Sequence, residues 1–264
     1  ALRTFEQVPQ EPGINLHLTI DASLQKVAEL AMGEESGSVI AIDPNTGDIL
    51  AFVSAPVFDP NLFVLGIDHK TYNSLRDNKL KPLFNRALRG QYPPGSTVKP
   101  FYGLAGVETD TKEAEQQIAC RGWFRLPGKK HKYRDWKKTG HGKMDLHHAI
   151  VQSCDVYFYD LAVSMGIDKL SNFMMPFGFN DATGVDITGE LGGIMPTTKW
   201  KKRARKEQWY TGDTVSAGIG QGYVLATPLQ LASATATLSM RGKRMRPRVV
   251  SALENPNTNE IQQL

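Results

Sequence analysis

The sequence predicts a mixed α/β protein of the α+β kind, with strands at its start, helices through its middle and a strand again at its end. Three observations carry this reading. Residues 37–55, GSVIAIDPNTGDILAFVSA, are two apolar runs around Asp43-Pro44-Asn45-Thr46-Gly47, and a Gly-ended turn between apolar runs forms a hairpin. Residues 146–166, LHHAIVQSCDVYFYDLAVSMG, read as two helices around a break near Ser153. Residues 244–253, RMRPRVVSAL, start a strand.

The elements follow in order. Residues 1–13 are a polar, irregular lead-in with Pro9, Pro12 and Gly13. INLHLTID (14–21) alternates apolar and polar residues, as a strand does. Asp21 or Ser23 then caps a helix over SLQKVAELAM, 23–32. After the hairpin, 56–95 is rich in loop formers and closes on YPPGS. A helix over 96–107 starts behind Pro93-Pro94-Gly95, and 108–143 holds a basic loop. Gly166 ends the second helix of the 146–166 pair. A further helix over 167–179 stops at Pro176. The last, 226–242, is entered at Thr227-Pro228 and ended by Gly242. The chain stops just as it returns to strand, and so reads as cut short on its C-terminal side.

Composition excludes some classes. The 264 residues are 41% hydrophobic and 22% charged, ordinary for a soluble domain. The net charge is only +4, so the basic excess is local. It lies in KKHKYRDWKK (129–138) and KWKKRARKE (199–207). A solvated face is the first reading of such runs, and contact with an anionic lipid or polymer the sharper one. No zinc-finger, aromatic ribonucleoprotein or helix-turn-helix pattern accompanies the charge, so nucleic acid is not an expected partner. No apolar run reaches the ~18 residues that a membrane span needs.

The strongest chemical signal is YPPGSTVKP, with Ser96-x-x-Lys99. Residues three apart share a helix face, so serine and lysine can meet. A lysine in a dry pocket can serve as base for the serine, and free N–H groups at the helix start can hold an oxyanion. Alone, S-x-x-K arises by chance. Its context is Gly95 before, Pro100 after, and Ser153-Cys154-Asp155 at the later helix break. S-x-x-K with S-D-N and K-T-G triplets marks penicillin-binding proteins and class A β-lactamases.

With these residues in view, RALRGQYPPGSTVKP, YRDWKKTGHGKMDLHHAIVQSCDVYFYDLAVSMGI and GIGQGYVLATPLQLASATATL together resemble the transpeptidase domain of class B penicillin-binding proteins. The resemblance is nearest to the penicillin-binding protein 2 branch and covers about residues 14–250. It implies the penicillin-recognising, β-lactamase-like fold, a five-stranded antiparallel sheet flanked by helices, with 1–264 as one transpeptidase domain. It implies D,D-transpeptidation of peptidoglycan stem peptides, with β-lactams as inhibitors, at the periplasmic face of the bacterial inner membrane. Carried over by position, Ser96 resembles the nucleophile, Lys99 its base, and Ser153 the residue that passes a proton to the leaving D-Ala. Asp155 stands where many relatives have Asn. The family also implies a membrane helix and a pedestal before this domain, and a glycosyltransferase of the elongation machinery as partner.

The third motif departs from the family. There it follows the segment that here reads Gly220-Gln221-Gly222 and Thr227-Pro228. Lys138-Thr139-Gly140 stands between the first two motifs, in the basic loop, and is rejected as that triplet. Residues 143–264 contain no Lys-Thr-Gly, so the chain is expected to carry the nucleophile half of the site. The other half would lie on a separate or omitted C-terminal piece.

Cys120, Asp135, His141 and Cys154 gather around the second motif. Two thiolates, an imidazole and a carboxylate suit tetrahedral zinc. A Cys120–Cys154 disulfide is the alternative, and two unpaired buried thiols the third. Spacing alone ranks the disulfide first. The resemblance reverses this order, because some members of the penicillin-binding protein 2 branch hold a metal in this loop. It implies a structural Zn2+ on those four residues, with His147 and His148 as reserve ligands. His17, His69 and His131 have no partner pattern. Trp123, Phe124, Trp136, Tyr157, Phe158 and Tyr159 are read as core. Two rival functions share the fold: a β-lactamase, for which no deacylating base is found, and a non-catalytic penicillin sensor, against which Ser96, Lys99 and Ser153 all speak.

Overall fold

The computed structural model describes residues 12–264; most of the 1–13 lead-in lies outside them. Asp21 starts the first helix, as its position before an apolar-periodic run predicts. Its carboxylate accepts from the Ser23 and Leu24 amides. The strand β1 (Asn15–Leu18) thus leads into α1 (Ala22–Met32). The hairpin follows as β2 (Gly37–Ile42) and β3 (Ile49–Ala55), paired antiparallel with Val39 opposite Val53. Two short helices, α2 (His69–Arg76) and α3 (Arg86–Arg89), interrupt the stretch expected to be loop. The segment HKTYNSLR buries none of its residues, so α2 has no apolar stripe for periodicity to register.

A 3-10 turn at Gly95–Val98 opens into α4 (Lys99–Glu108), so the helix expected from Ser96 starts tighter than an α-helix. The middle then holds two small antiparallel pairs. β4 (Ile118–Cys120) pairs with β7 (Gly142–Met144), and β5 (Trp123–Phe124) with β6 (Tyr133–Arg134). Next come α5 (Leu146–Val151), α6 (Asp155–Met165) and α7 (Ile167–Met174), with the expected break at Ser153. Then follow α8 (Thr198–Arg205), α9 (Thr211–Ala217) and α10 (Pro228–Ser239). The capping box of Thr227 and Gln230 sets the start of α10. β8 (Val250–Glu254) and β9 (Ile261–Gln263) close the chain.

Five strands form the antiparallel pairings of the main layer, in two pieces. One has the order β1-β8-β9 and the other is β2-β3. They join where the Ile49 amide donates to the Arg248 carbonyl and the Asp21 amide to the Leu50 carbonyl. The helical core centres on α6, which buries Val156, Tyr157, Phe158, Tyr159, Leu161 and Ala162. A helix apolar nearly all round must be enclosed. Phe101 of α4 sits edge-on to Phe177 and Phe179 in the same core. Each such ring contributes about 1.5–3 kcal/mol through burial. Ser96 and Ser153 therefore stand at the ends of helices held by one packed core.

Candidate active site and adjoining metal-ligand cluster

Pro93-Pro94-Gly95 sets the entry to the first motif. Gly95 has φ +59, a conformation glycine adopts without a steric penalty, and its amide donates to the Gly220 carbonyl at 3.0 Å. The 3-10 turn then exposes Ser96 and buries Val98 and Lys99. Gly220 lies so close that a Cβ there would come within 2.4 Å of the Gly95 carbonyl oxygen. Its own φ is +67. Gly220→Ala is expected to displace the Ser96 turn, slowing acylation by about tenfold or more and costing about 1–3 kcal/mol. Stopped-flow acylation and denaturant unfolding read the two effects.

The second motif is placed by the α5–α6 break. Ser153 has φ +52, in the left-handed region where a non-glycine residue is uncommon. Its amide donates to the Ile150 carbonyl, and the Cys154 amide to the Ala149 carbonyl. The chain thus ends one helix and opens the next within two residues. That turn brings the Ser153 hydroxyl 2.9 Å from Ser96 Oγ. Residues strained in this way concentrate at functional sites.

Lys99 is 1% exposed. Its Nζ donates to Asp155 Oδ1 at 2.6 Å, to Ser153 Oγ at 3.0 Å and to the Ser153 carbonyl at 2.9 Å. Sequence reasoning expected Lys99 to bond Ser96 directly. Instead the connection runs Ser96 Oγ, Ser153 Oγ, Lys99 Nζ, with Ser153 in the middle. The reason is local: Ser153 projects between them. Each hydroxyl can donate or accept, so the row can carry a proton between Ser96 and Lys99. Asp155 keeps the ion pair with Lys99 that an Asn could not form, and its Oδ2 accepts from the Trp136 amide at 3.3 Å.

Trp136 is the residue that sequence reasoning misassigned. It is 64% exposed, not core. Its Nε1 donates to the Gln152 and Ser153 carbonyls, both at 3.2 Å. It lies across the Ser153 turn, joining the basic loop to the site. The surviving signal is its place directly after Asp135. Lys138-Thr139-Gly140 stays in that loop, as expected. Gly122 and Gly140 lie back to back there, since a Cβ on Gly122 would meet the Lys138 carbonyl at 2.2 Å.

The four expected ligands converge, with donor atoms all within 4.8 Å of one another. Cys120 Sγ lies 3.6 Å from Asp135 Oδ2 and 3.5 Å from His141 Nδ1, and Cys154 Sγ lies 3.5 Å from Asp135 Oδ2. A tetrahedron with bonds of about 2.0–2.3 Å has edges of about 3.3–3.8 Å, so these edges fit one zinc-sized ion. The thiols are free and buried, not joined as a disulfide. Burial pushes the Cys154 thiol up, and the neighbouring Cys120 and Asp135 add to that. A divalent cation would reverse both effects. Asp135 also accepts from the Val156 and Lys137 amides, which orients its carboxylate. His141 Nε2 is buried without a hydrogen-bond partner, the one unsatisfied member of the set. His147 and His148 do not join: both are exposed on α5, and His148 bonds Asp145. His17 pairs with Glu254, and His131 packs on Tyr133.

Comparison with known proteins gives consistent results. The penicillin-binding protein transpeptidase domain family matches residues 37–263. The chain is 51% identical to the peptidoglycan D,D-transpeptidase MrdA of Acinetobacter baumannii, over 91% of this chain and 36% of that relative. It therefore spans little more than a third of the length of that curated relative. The fold is similar to Pseudomonas aeruginosa PBP2 in complex with WCK 5153, with TM-score 0.89 and 45% identity, over 96% of this chain and 56% of that one. It is also similar to a chain of a peptidoglycan synthase complex that coordinates polymerization and crosslinking. There the TM-score is 0.83 and the identity 33%, over 96% of this chain and 47% of that one.

Proposed function

The chain belongs to the penicillin-binding protein transpeptidase domain family, and on that premise we propose that it is the nucleophile-bearing part of a peptidoglycan D,D-transpeptidase and a target of β-lactams. The observation that carries this is the row Ser96 Oγ, Ser153 Oγ, Lys99 Nζ, with separations of 2.9 and 3.0 Å. Ser96 Oγ attacks the carbonyl carbon of the penultimate D-Ala. Lys99 first cedes its third proton, for which Asp155 Oδ1 at 2.6 Å is the acceptor in contact; its neutral amine then takes a proton from Ser153 as Ser153 takes the one from Ser96 and the new C–O bond forms. The peptide C–N bond then breaks, and Ser153 returns a proton to the amine of the departing D-Ala. Backbone amides at the start of the Ser96 helix would hold the developing oxyanion. An acceptor amine from a neighbouring stem peptide then displaces Ser96 and completes the cross-link. Asp155 positions Lys99 and does not touch substrate.

Cys120, Asp135, His141 and Cys154 would hold a structural Zn2+, closed by four protein ligands. The ion would fasten the Trp136 loop to the α6 start, because Asp135 and Cys154 flank both. It would leave no coordination position for substrate. The family likeness also supports action on the periplasmic side of the inner membrane, and the likeness to a chain of a peptidoglycan synthase complex that coordinates polymerization and crosslinking supports a glycosyltransferase as partner. Among the described residues no helix is long and apolar enough to cross a membrane.

Labelled penicillin tests the reading. A transpeptidase is expected to form an acyl complex on Ser96 that lasts for hours. A complex that forms and clears within seconds to minutes would point instead to a β-lactamase of this fold. No labelling at all would overturn the acyl-serine chemistry.

A further inference from the structure

Two cationic strips remain unused by the acyl-transfer chemistry, and both are anchored to its backbone. The first is α8. Lys199, Lys202, Arg203, Arg205 and the following Lys206 are exposed. Among the described residues none of them forms an ion pair. The face α8 buries is Lys201, whose Nζ bonds Asp213 at 2.7 Å and lies over the rings of Tyr210 and Tyr223 at 5.1 and 5.2 Å. Asp213 raises the pKa of that ammonium, so it stays charged. One lysine is thus spent on anchoring, and the others are left facing water.

The anchor leads to the active site. Tyr223, tilted against Trp200 with ring centroids 5.5 Å apart, belongs to the strap whose Gly220 carbonyl holds the Gly95 amide beside Ser96. The second strip is the hairpin β5–β6 with its loop. Lys129, Lys130 and Lys132 are exposed there, and Lys132 and Arg125 lie over Trp123. From Arg121 to Lys138 the one acidic side chain is Asp135, which is buried. The same loop carries Trp136, bonded to the Ser153 carbonyl. The start of α9 lies between the strips: Asp213 bonds Lys201 of α8, and a Cβ on Gly212 would lie 2.7 Å from the Tyr133 hydroxyl of the hairpin.

We propose that these strips form a docking rim for the free carboxylates of peptidoglycan stem peptides on strands entering the Ser96 site. The inference rests on the transpeptidase reading and deepens it. A net charge of only +4 means that cations here are concentrated rather than spread. Clefts bordered by one sign of charge raise the local concentration of an oppositely charged ligand. Stem peptides carry carboxylates along their length, and the elements that bear the strips are joined to the Ser96 turn through Tyr223 and Gly220 and to the Ser153 turn through Trp136. An anionic membrane would satisfy the charge but would have no reason to meet it at the serine.

The test is co-sedimentation with purified, protein-free peptidoglycan. One variant replaces Lys129, Lys130, Lys132, Lys202, Arg203 and Lys206 with Gln, and circular dichroism checks its fold. A second replaces the five lysines with Arg. The unaltered chain is expected to pellet, and to be released as salt rises. The Gln variant is expected to lose about tenfold or more in affinity, with the Arg variant restored. Peptidoglycan whose carboxylates have been amidated is expected to bind no better than the Gln variant binds native material. Equal pelleting of the Gln variant and the unaltered chain overturns the rim. So does binding to phosphatidylglycerol vesicles without binding to peptidoglycan. Penicillin labelling of the unaltered chain is read separately, so failure of the rim and failure of the transpeptidase reading are distinguishable.

Discussion

Lys99→Ala is expected to slow penicillin acylation by about 10²–10⁴-fold and to destabilise the fold by about 3–5 kcal/mol. Both effects arise from one geometry. Lys99 Nζ bonds Ser153 Oγ, so loss of this nitrogen ends the proton path from Ser96. It also leaves the Asp155 carboxylate, 9% exposed, without its cation. Removing one partner of a buried pair costs far more than the pair's net contribution, because the remaining charge stays desolvated. Ser96→Ala separates the two effects. Ser96 is exposed and its side chain fills no core space, so labelling should vanish while stability stays within about 0.5 kcal/mol of the original. The double variant Lys99→Ala, Asp155→Ala should regain about 1–3 kcal/mol of the stability lost in Lys99→Ala, since neither charge is then stranded. Acylation kinetics and urea unfolding measure these outcomes. Unchanged acylation in Lys99→Ala would remove Lys99 from the mechanism, and unchanged labelling in Ser96→Ala would overturn the whole assignment.

Metal removal is expected to give the second large effect. If the proposed Zn2+ is bound, stripping it with a chelator, or Cys154→Ser, should lower the unfolding temperature by about 10 °C, from about 3–4 kcal/mol of lost binding. Three groups then repel or lie unsatisfied in a dry pocket: two buried thiols and the Asp135 carboxylate. Asp135 holds the Val156 amide at the start of α6, and Trp136 holds the Ser153 carbonyl. Acylation should therefore slow as well, without any ligand touching substrate. Added Zn2+ should restore the chelated protein but not the Cys154→Ser variant. Elemental analysis decides the premise. Protein free of zinc, with a mass ~2 Da low, would mean a Cys120–Cys154 disulfide.

Much of the fold was legible because apolar periodicity was strong where burial was deep. The hairpin at 37–55, the helices beside Ser153 and the Thr227 cap all carry their own local signal. The helices α2 and α8 carry none. α2 buries no residue, and the side chain that α8 buries is a lysine. A rule that reads apolar spacing registers α8 only as a charge run. Trp136 failed for a related reason: grouped with the other aromatic residues it reads as core, yet its indole lies exposed across the Ser153 turn.

The sequence by itself determined the residue types. Ser96, Lys99, Ser153 and Asp155 stand in motif order, and Cys120, Asp135, His141 and Cys154 offer two thiols, a carboxylate and an imidazole. It also excluded Lys138-Thr139-Gly140 from the third-motif role by position alone. Only the tertiary structure decided which of these side chains touch. Spacing could not tell that Ser153 sits between Ser96 and Lys99, because that depends on a left-handed residue joining α5 to α6. Nor could it show that the two thiols converge with Asp135 and His141. Residues far apart in the chain meet only where packed helices and hairpins bring their side chains together, and those distances are set by the core rather than by the motifs.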